Sequence, residues 1–266
     1  MMTPLFSIIT ICFNSSKTIE RTIKSVLSQT FLDYEYIIVD GESTDSTLEI
    51  VKQYEPLFGG RLKWKSEPDN GIYDAMNKGI QRSTGTIIGI VNSDDWLEPD
   101  ALENVENAFI SNGRDENTLY CGGMNFHNED GTIHTLMPDI EMFTKGASEY
   151  IMRGVRHPAT FVPQKVYQKI GIFDSRMVIM ADTDFLLRAY YNEVKIIGVQ
   201  TVITNMADGG ASNALTWKSG KKSFNDKRLL LSNFDVRGAK KLYILTKTFL
   251  IIVTKRLFFK NGIKHT

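Results

Sequence analysis

The chain has 266 residues, 42% hydrophobic and 23% charged, the composition of one large globular domain with a real core, or of one domain with an appendage. Only two cysteines, Cys12 and Cys121, are present, without a CxxC pair, which excludes a disulfide framework and a cysteine zinc site and makes a reducing compartment the default. The formal charge of zero hides an asymmetry: from Arg237 onward every charged side chain is basic, so residues 1–236 carry about −8.

The N-terminal stretch MMTPLFSIITICFN has neither a basic n-region nor a small-residue cleavage site and does not read as a signal peptide. FSIITICF (6–13) is a β-branched and aromatic run, the pattern of a buried strand. Residues 17–29 place Ile19, Ile23, Val26 and Leu27 on one helical face. EYIIVD (35–40) reads as a second strand, and Ser46 with Glu49 has capping-box spacing before a helix carrying Leu48, Val51 and Tyr54. LKWKSE (62–67), a helix around 72–82 and TIIGIVNS (86–93) complete this series. Strands separated by single helices imply parallel pairing in an α/β sandwich, which binds ligands at the carboxyl ends of its strands. The polar residues fall there: Asn14, Asp40, Glu67, Asp69, Asp94 and Asp95.

The stretch GIVNSDDWLEP (89–99) ends an apolar run in two adjacent carboxylates, which repel unless a cation or a proton intervenes. A solvated loop with a helix N-cap is the simpler reading. No GxxxxGK[ST] and no GxGxxG is present, so phosphates must be held another way, and Mg²⁺ or Mn²⁺ bridging Asp94-Asp95 to a diphosphate makes sense of the pair.

Beyond residue 115, TLYCGGMNF and TIHTLM flank HNEDG, a hairpin pattern with Asp130-Gly131 at its turn. A helix is expected around 141–153, followed by HPATFVP (157–163) and by VIMADTDFLLRAYYNE (178–193), in which Asp182 opens a helix with Phe185, Leu186 and Ala189 facing inward. KIIGVQTVIT (195–204) reads as a strand and NMADGGAS (205–212) as a glycine loop; no internal repeat or low-complexity segment appears. Residues 239–260 read as a helix with Lys240, Lys241, Lys247 and Lys255 in a wedge of about 120° and mostly apolar residues around the rest. Its longest apolar stretch, 249–253, is far short of the ~20 residues needed to span a bilayer. Two readings stand: an interfacial helix on an anionic cytoplasmic leaflet, or a helix packed on the protein with its lysines in water. The acidic body and the lack of a nucleic-acid motif argue against nucleic acid as a partner.

Taken together, SIITICFN (7–14), VDGESTDST (39–47), SEPDNGIYDAMNKGI (66–80), NSDDW (92–96), HPATF (157–161), ADTDFLLRA (181–189) and GGAS (209–212) make the chain resemble the family 2 glycosyltransferases of GT-A fold. The likeness is to the bacterial exopolysaccharide and O-antigen type, colanic-acid enzymes in particular, over roughly residues 5–215. It implies an α/β/α sandwich with a mostly parallel sheet, a nucleotide-sugar half (1–115), an acceptor half (116–215) and a basic helical extension (216–266). It also implies that Asp40 hydrogen-bonds the nucleobase, that Ile11 and Phe13 form the pocket wall, and that Gly71 to Asn77 line the donor site. The family's Asp-x-Asp motif falls on Ser93-Asp94-Asp95, with serine in place of the first carboxylate, Asp94 near the ribose and Asp95 on Mn²⁺ or Mg²⁺.

The general base of inverting transfer maps to Asp182, with Ala181 where many relatives carry glutamate; Asp184 is its rival, expected to turn towards Arg188. His157 would face acceptor or diphosphate, and Gly209-Gly210 would belong to a lid over the donor. The implied reaction moves a sugar from a nucleotide-diphosphate donor, a UDP-sugar by preference, to a hydroxyl of a glycan or polyprenyl-linked acceptor. Its implied place is surface-polysaccharide assembly at the inner face of the cell membrane. Simpler readings stand beside these: Asp40 as a turn former, Asp182 as a helix cap, His157 as a packed histidine, Gly209-Gly210 as a plain turn and Trp96 as core. His127, His134 and His265 share no ligand spacing. A non-catalytic sugar-nucleotide-binding scaffold and a sugar nucleotidyltransferase are the alternative functions.

Overall fold

The computed structural model describes residues 3–144, 154–208 and 217–260. Strands β1 (Phe6–Cys12) and β2 (Tyr34–Asp40) are buried along their whole length, which is why they appear in the sequence as continuous rather than alternating apolar runs. Helix α1 (Ile19–Leu27) joins them and buries Ile19, Ile23 and Val26. Helix α2 (Thr47–Tyr54), β3 (Leu62–Ser66), α3 (Ile72–Arg82) and β4 (Ile87–Ile90) follow, and the strands align in parallel in the order β3-β2-β1-β4. With β2 on one side of β1 and β4 on the other, the chain reverses its direction of winding, and the loops after β1 and β4 diverge to leave a crevice.

The expected capping box does not form. Ser46 precedes α2 without a side-chain cap bond, and Asp45 does the work instead: its Oδ1 accepts the Thr47 N–H at 3.0 Å and its Oδ2 the Ser16 N–H at 3.1 Å. A carboxylate one residue earlier reaches both the helix end and the β1 loop, which a serine hydroxyl would not.

The second half is mixed. After β5 (Trp96–Leu97) and α4 (Ala101–Ser111) come β6 (Thr118–His127) and β7 (Ile133–Leu136), paired antiparallel across the expected turn, where Asn128 N–H meets Thr132 O at 2.9 Å. Helix α5 (Ile140–Thr144) starts the helix expected over 141–153, of which residues 145–153 lie outside the described residues. Strand β8 (Thr160–Pro163) runs antiparallel between β4 and β6, and α6 (Gln164–Ile170) and α7 (Ala181–Tyr191) precede β9 (Lys195–Ala207), which is parallel to β6 and antiparallel to β5. Parallel pairing thus dominates only the first ninety residues.

Alternate residues of β1 feed two cores on opposite faces of the sheet, Ile9 and Ile11 into one and Phe6 and Ile8 into the other. The chain ends in α8 (Trp217–Asn233) and α9 (Gly238–Lys260). Leu230 of α8 enters the same core as Phe173 and Phe185. Helix α9 rests on α8: Ile244 clusters with Leu231 and Val236, and a Cβ on Gly220 would meet Ile252 at 2.7 Å, so glycine permits the close approach. Leu242, Tyr243, Phe249 and Leu250 of α9 stay exposed. Among the described residues no helix is long and apolar enough to cross a membrane.

Candidate active site

A cavity of about 760 Å³ opens at the crevice between β1 and β4. Ile11 and Phe13 from the end of β1, Asp69 and Gly71 from the start of α3, Asn92 to Asp95 after β4, and His157 and Asp182 from the second half all line it. The loop after β4 is fixed by its backbone, leaving its carboxylates to the cavity. The Arg21 guanidinium donates to the Asp94 carbonyl at 2.7 Å, the Thr22 hydroxyl to the Asp95 carbonyl at 2.6 Å, and the Leu97 N–H to Ser25 Oγ at 3.1 Å. Trp96 is not core: it is half-buried, with Arg21 stacked 3.6 Å above its ring and the His127 ring 4.6 Å away.

The two adjacent carboxylates differ in surroundings. Asp95 is 1% exposed; its Oδ2 accepts a hydrogen from Asn92 Nδ2 at 3.2 Å and its Oδ1 the Ala207 N–H at 3.3 Å. Burial, followed by the charge on Asp94, pushes its pKa up to about 7, against the opposing pull of Arg21. Asp94 is half-buried, and its carboxylate takes no hydrogen bond from any described residue. Behind the pair, Asn92 Oδ1 is buried with no partner. A costly buried carboxylate, a second one beside it and an orphaned amide oxygen form an all-oxygen donor set that fits Mg²⁺ or Mn²⁺. No cluster of three or more His, Cys, Asp or Glu side chains among the described residues could hold an ion by itself, so a diphosphate would have to supply further ligands.

The donor-side expectations need two corrections. Asp40 is fully buried and saturated by the protein: its Oδ2 accepts the Ser43 N–H at 3.0 Å and the Ser66 hydroxyl at 2.7 Å, and its Oδ1 accepts the Ser43 hydroxyl at 2.5 Å. It shapes the loop after β2, does not line the cavity and has no acceptor left for a base. The carboxylate that faces the cavity is Asp69, which stands against Gly41 so closely that a Cβ there would lie 2.5 Å from Asp69 Oδ2. Asp69 Oδ1 also accepts the N–H of Gly71, whose φ of 115° suits glycine, and Phe13 beside them leaves 62% of its surface open. Asn77 does not line the donor pocket either; its side chain donates to the Phe173 carbonyl at 2.9 Å and accepts the Phe173 N–H at 3.0 Å, riveting α3 to the second half.

Asp182 lies at the start of α7 and on the cavity wall. Its Oδ1 accepts the Thr183 N–H at 2.6 Å and lies 3.4 Å from the Tyr73 hydroxyl, which itself donates to the Ile179 carbonyl at 2.7 Å; Oδ2 has no partner among the described residues. Burial and the Asp182 charge raise the Tyr73 pKa, so this phenol stays protonated. Asp184 turns away as expected, with its Oδ2 2.8 Å from Arg188 Nε. His157 lines the cavity with its ring 5.2 Å from Phe173; burial lowers its pKa against the charge of Asp182, which favours the neutral imidazole. Gly209 and Gly210 lie outside the described residues.

The cleft at the sheet's switch point brings a carboxylate pair and a separate carboxylate at a helix start onto one cavity, and the fold is of the GT-A type. The chain belongs to glycosyltransferase family 2: the family model described as glycosyl transferase family 2 matches residues 7–169. It is 31% identical over 225 residues to a PGL/p-HBAD biosynthesis glycosyltransferase of Mycobacterium bovis, covering 82% of this chain and 83% of that one. A 120-residue stretch, 44% of this chain and 12% of the other, is 38% identical to chondroitin synthase of Pasteurella multocida. In fold the chain is similar to S. aureus TarS 1-349, solved with UDP-GlcNAc (TM-score 0.65, 22% identity, 92% of this chain and 71% of that one). It is also similar in fold to the mannosyltransferase PcManGT of Pyrobaculum calidifontis, solved with GDP-Man and Mn²⁺ (TM-score 0.63, 14% identity, 100% and 77%).

The Asp95 environment predicts a pH effect on the metal-free protein. Its folded pKa of about 7 lies above the ordinary 3.8, so the folded state holds the proton more tightly than the unfolded chain does. Its contribution to stability is therefore present below pH 4 and lost as pH rises through 7. In EDTA at pH 8, Asp95→Asn should be about 2 kcal/mol more stable than the parent by urea unfolding, with the gap closing towards pH 5. Equal stability at both pH values would contradict this environment.

Proposed function

We propose that this glycosyltransferase acts on a nucleotide-diphosphate sugar and transfers the sugar with inversion to an acceptor hydroxyl. The observation that carries the proposal is the placement of Asp182, one of whose oxygens has no partner among the described residues, on the same cavity as the Asp94-Asp95 pair. In-line displacement needs the leaving diphosphate and the incoming hydroxyl on opposite sides of the anomeric carbon, and a cavity with a cation site at one wall and a base at another supplies both. Asp182 takes the acceptor proton as its oxygen attacks, while the neutral His157 and the protonated Tyr73 frame the base without competing for its charge. Asp95, expected to be the metal ligand, together with Asp94, whose carboxylate takes no hydrogen bond from any described residue, and the Asn92 amide oxygen would hold a divalent cation, Mn²⁺ or Mg²⁺. When bound, such a cation offsets the charge that builds on the departing nucleoside diphosphate.

At the base end, Asp69 beside Phe13 offers an acceptor next to an aromatic wall. That suits a ring N–H such as uracil N3–H, and so a UDP-sugar; the TarS neighbour carries UDP-GlcNAc, although the GDP-Man of PcManGT also has such an N–H. The acceptor we propose is a glycan or polyprenyl-linked saccharide, used in surface-polysaccharide assembly on the cytoplasmic side of the membrane. The exposed Leu242, Tyr243, Phe249 and Leu250 on the basic helix α9 support peripheral docking there.

Asp182→Asn should lower transfer about 10²- to 10⁴-fold while nucleotide binding persists. The product released by the parent should be a nucleoside diphosphate; pyrophosphate released from a nucleoside triphosphate would instead indicate a nucleotidyltransferase. In flotation with vesicles containing phosphatidylglycerol, the parent should co-float and a Phe249→Glu/Leu250→Glu variant should not. Equal recovery of both would remove the membrane part of the proposal.

A further inference from the structure

Segment 178–180 delivers Asp182 to the cavity; the Met180 N–H belongs to the N-cap of α7, and those of Val178 and Ile179 lie just before it, all three in need of an acceptor once buried. The local sequence, Val178-Ile179-Met180, contains no side chain able to cap them, and Met180 in the N-cap position makes no side-chain bond. The cap comes instead from α8, 46 to 48 residues downstream. Asp226, 3% exposed, accepts all three N–H groups on one oxygen, from Val178 at 2.9 Å, Ile179 at 2.6 Å and Met180 at 3.1 Å. Two turns further along α8, Asn233 donates to Asp174 at 3.1 Å and to Asp184 at 3.1 Å, and the fully buried Leu230 lies between them in the main core. Positions 226, 230 and 233 share one helical face, so α8 grips the segment on both sides of Asp182.

We infer that Asp226 is a positioning residue for the transfer step: it holds the segment leading into α7 by its backbone, so that Asp182 engages the helix end only through Oδ1 on the Thr183 N–H and keeps Oδ2 for the cavity. This rests on the proposal that Asp182 is the base. Without the cap, three buried donors would seek another acceptor, and Asp182, two residues past Met180, is the nearest carboxylate in sequence. Turning it inward would remove the base without touching the donor site, whose residues come from the loops after β1 and β4 and the start of α3. A carboxylate at a helix N-terminus is also favoured by the helix dipole.

The test compares Asp226→Asn, which keeps an acceptor oxygen of the same shape, with Asp226→Leu, which removes it, both in the full chain. The expected result is a graded loss of kcat, about 10-fold for Asn and about 100-fold for Leu, with donor KM and the thermal shift given by UDP and Mn²⁺ within about twofold of the parent. Hydrogen exchange across 178–186 should quicken in the same order while the β1 and β2 amides stay protected. Should the leucine variant fail to fold, the asparagine variant decides. An unchanged kcat or unchanged exchange at 178–186 in a folded variant would overturn the inference, as would donor binding falling in step with kcat. Absence of transfer by the parent itself would instead count against the proposed reaction.

Discussion

Two carboxylates held side by side at the end of a buried strand are the constraint around which this protein is arranged. Asp95 lies almost wholly out of water next to Asp94, and among the described residues no lysine or arginine side chain bonds either carboxylate: Arg21, the cation at hand, donates to the Asp94 carbonyl. Two carboxylates this close, one of them buried, are an expensive arrangement that Arg21 offsets only in part and that a divalent cation would relieve. The polar residues of α1 hold main-chain groups of the loop, so the loop stays in place whether the carboxylates are protonated, ionised or ligated.

A rigid donor floor is useful only if the base is held at a fixed distance from it, and the two come from different halves of the chain. The link is the sheet itself, which β8 continues from β4 to β6, reinforced by a set of polar rivets. Asn77 binds the backbone of Phe173, Tyr73 binds the Ile179 carbonyl, and Asp226 binds the amides of 178–180. Helix α3 lines the donor pocket and also supplies two of these rivets, Tyr73 and Asn77. Donor wall and base segment are therefore parts of one bonded assembly. The C-terminal helices enter this account as structure, since α8 closes the core around Phe185 and fixes the segment preceding α7.

Much of this was legible in the sequence. The parallel half follows from continuous apolar runs alternating with amphipathic segments. The hairpin follows from Asp130-Gly131, and the pairing of Asp184 with Arg188 from helical spacing. The carboxylate pair stood out because a charged cluster at the end of an apolar strand has few structural uses, whereas Asp182 was singled out by the resemblance, since a carboxylate at a helix start is as readily a cap. What failed was side-chain direction. Asp40 and Asp69 both follow strands in parallel register, and only the positions of Ser43 and Ser66 reveal that Asp40 is consumed internally. Asp45 displaced Ser46 as the helix cap by one residue, a difference that spacing rules do not resolve. Trp96 resembled core because its stacking partners, Arg21 and His127, are far away in sequence. Asp226 left no signal, since a cap supplied from 46 residues downstream has no period or motif to betray it. Apart from the hairpin, the pairing of the second half was likewise hidden, because a strand as short as β8 gives no hint of which neighbours it will join.

The most direct test of the carboxylate pair as a cation–diphosphate site is thermal unfolding with UDP, GDP, dTDP or CDP, each with Mn²⁺ or EDTA, for the parent and for Asp94→Asn. A ligand at 100 times its Kd adds about 2.7 kcal/mol, a rise of a few degrees in a chain of this size. The account predicts such a rise with UDP, only when Mn²⁺ is present and only in the parent. A folded parent that responds to none of the four, or equally with EDTA, would contradict it.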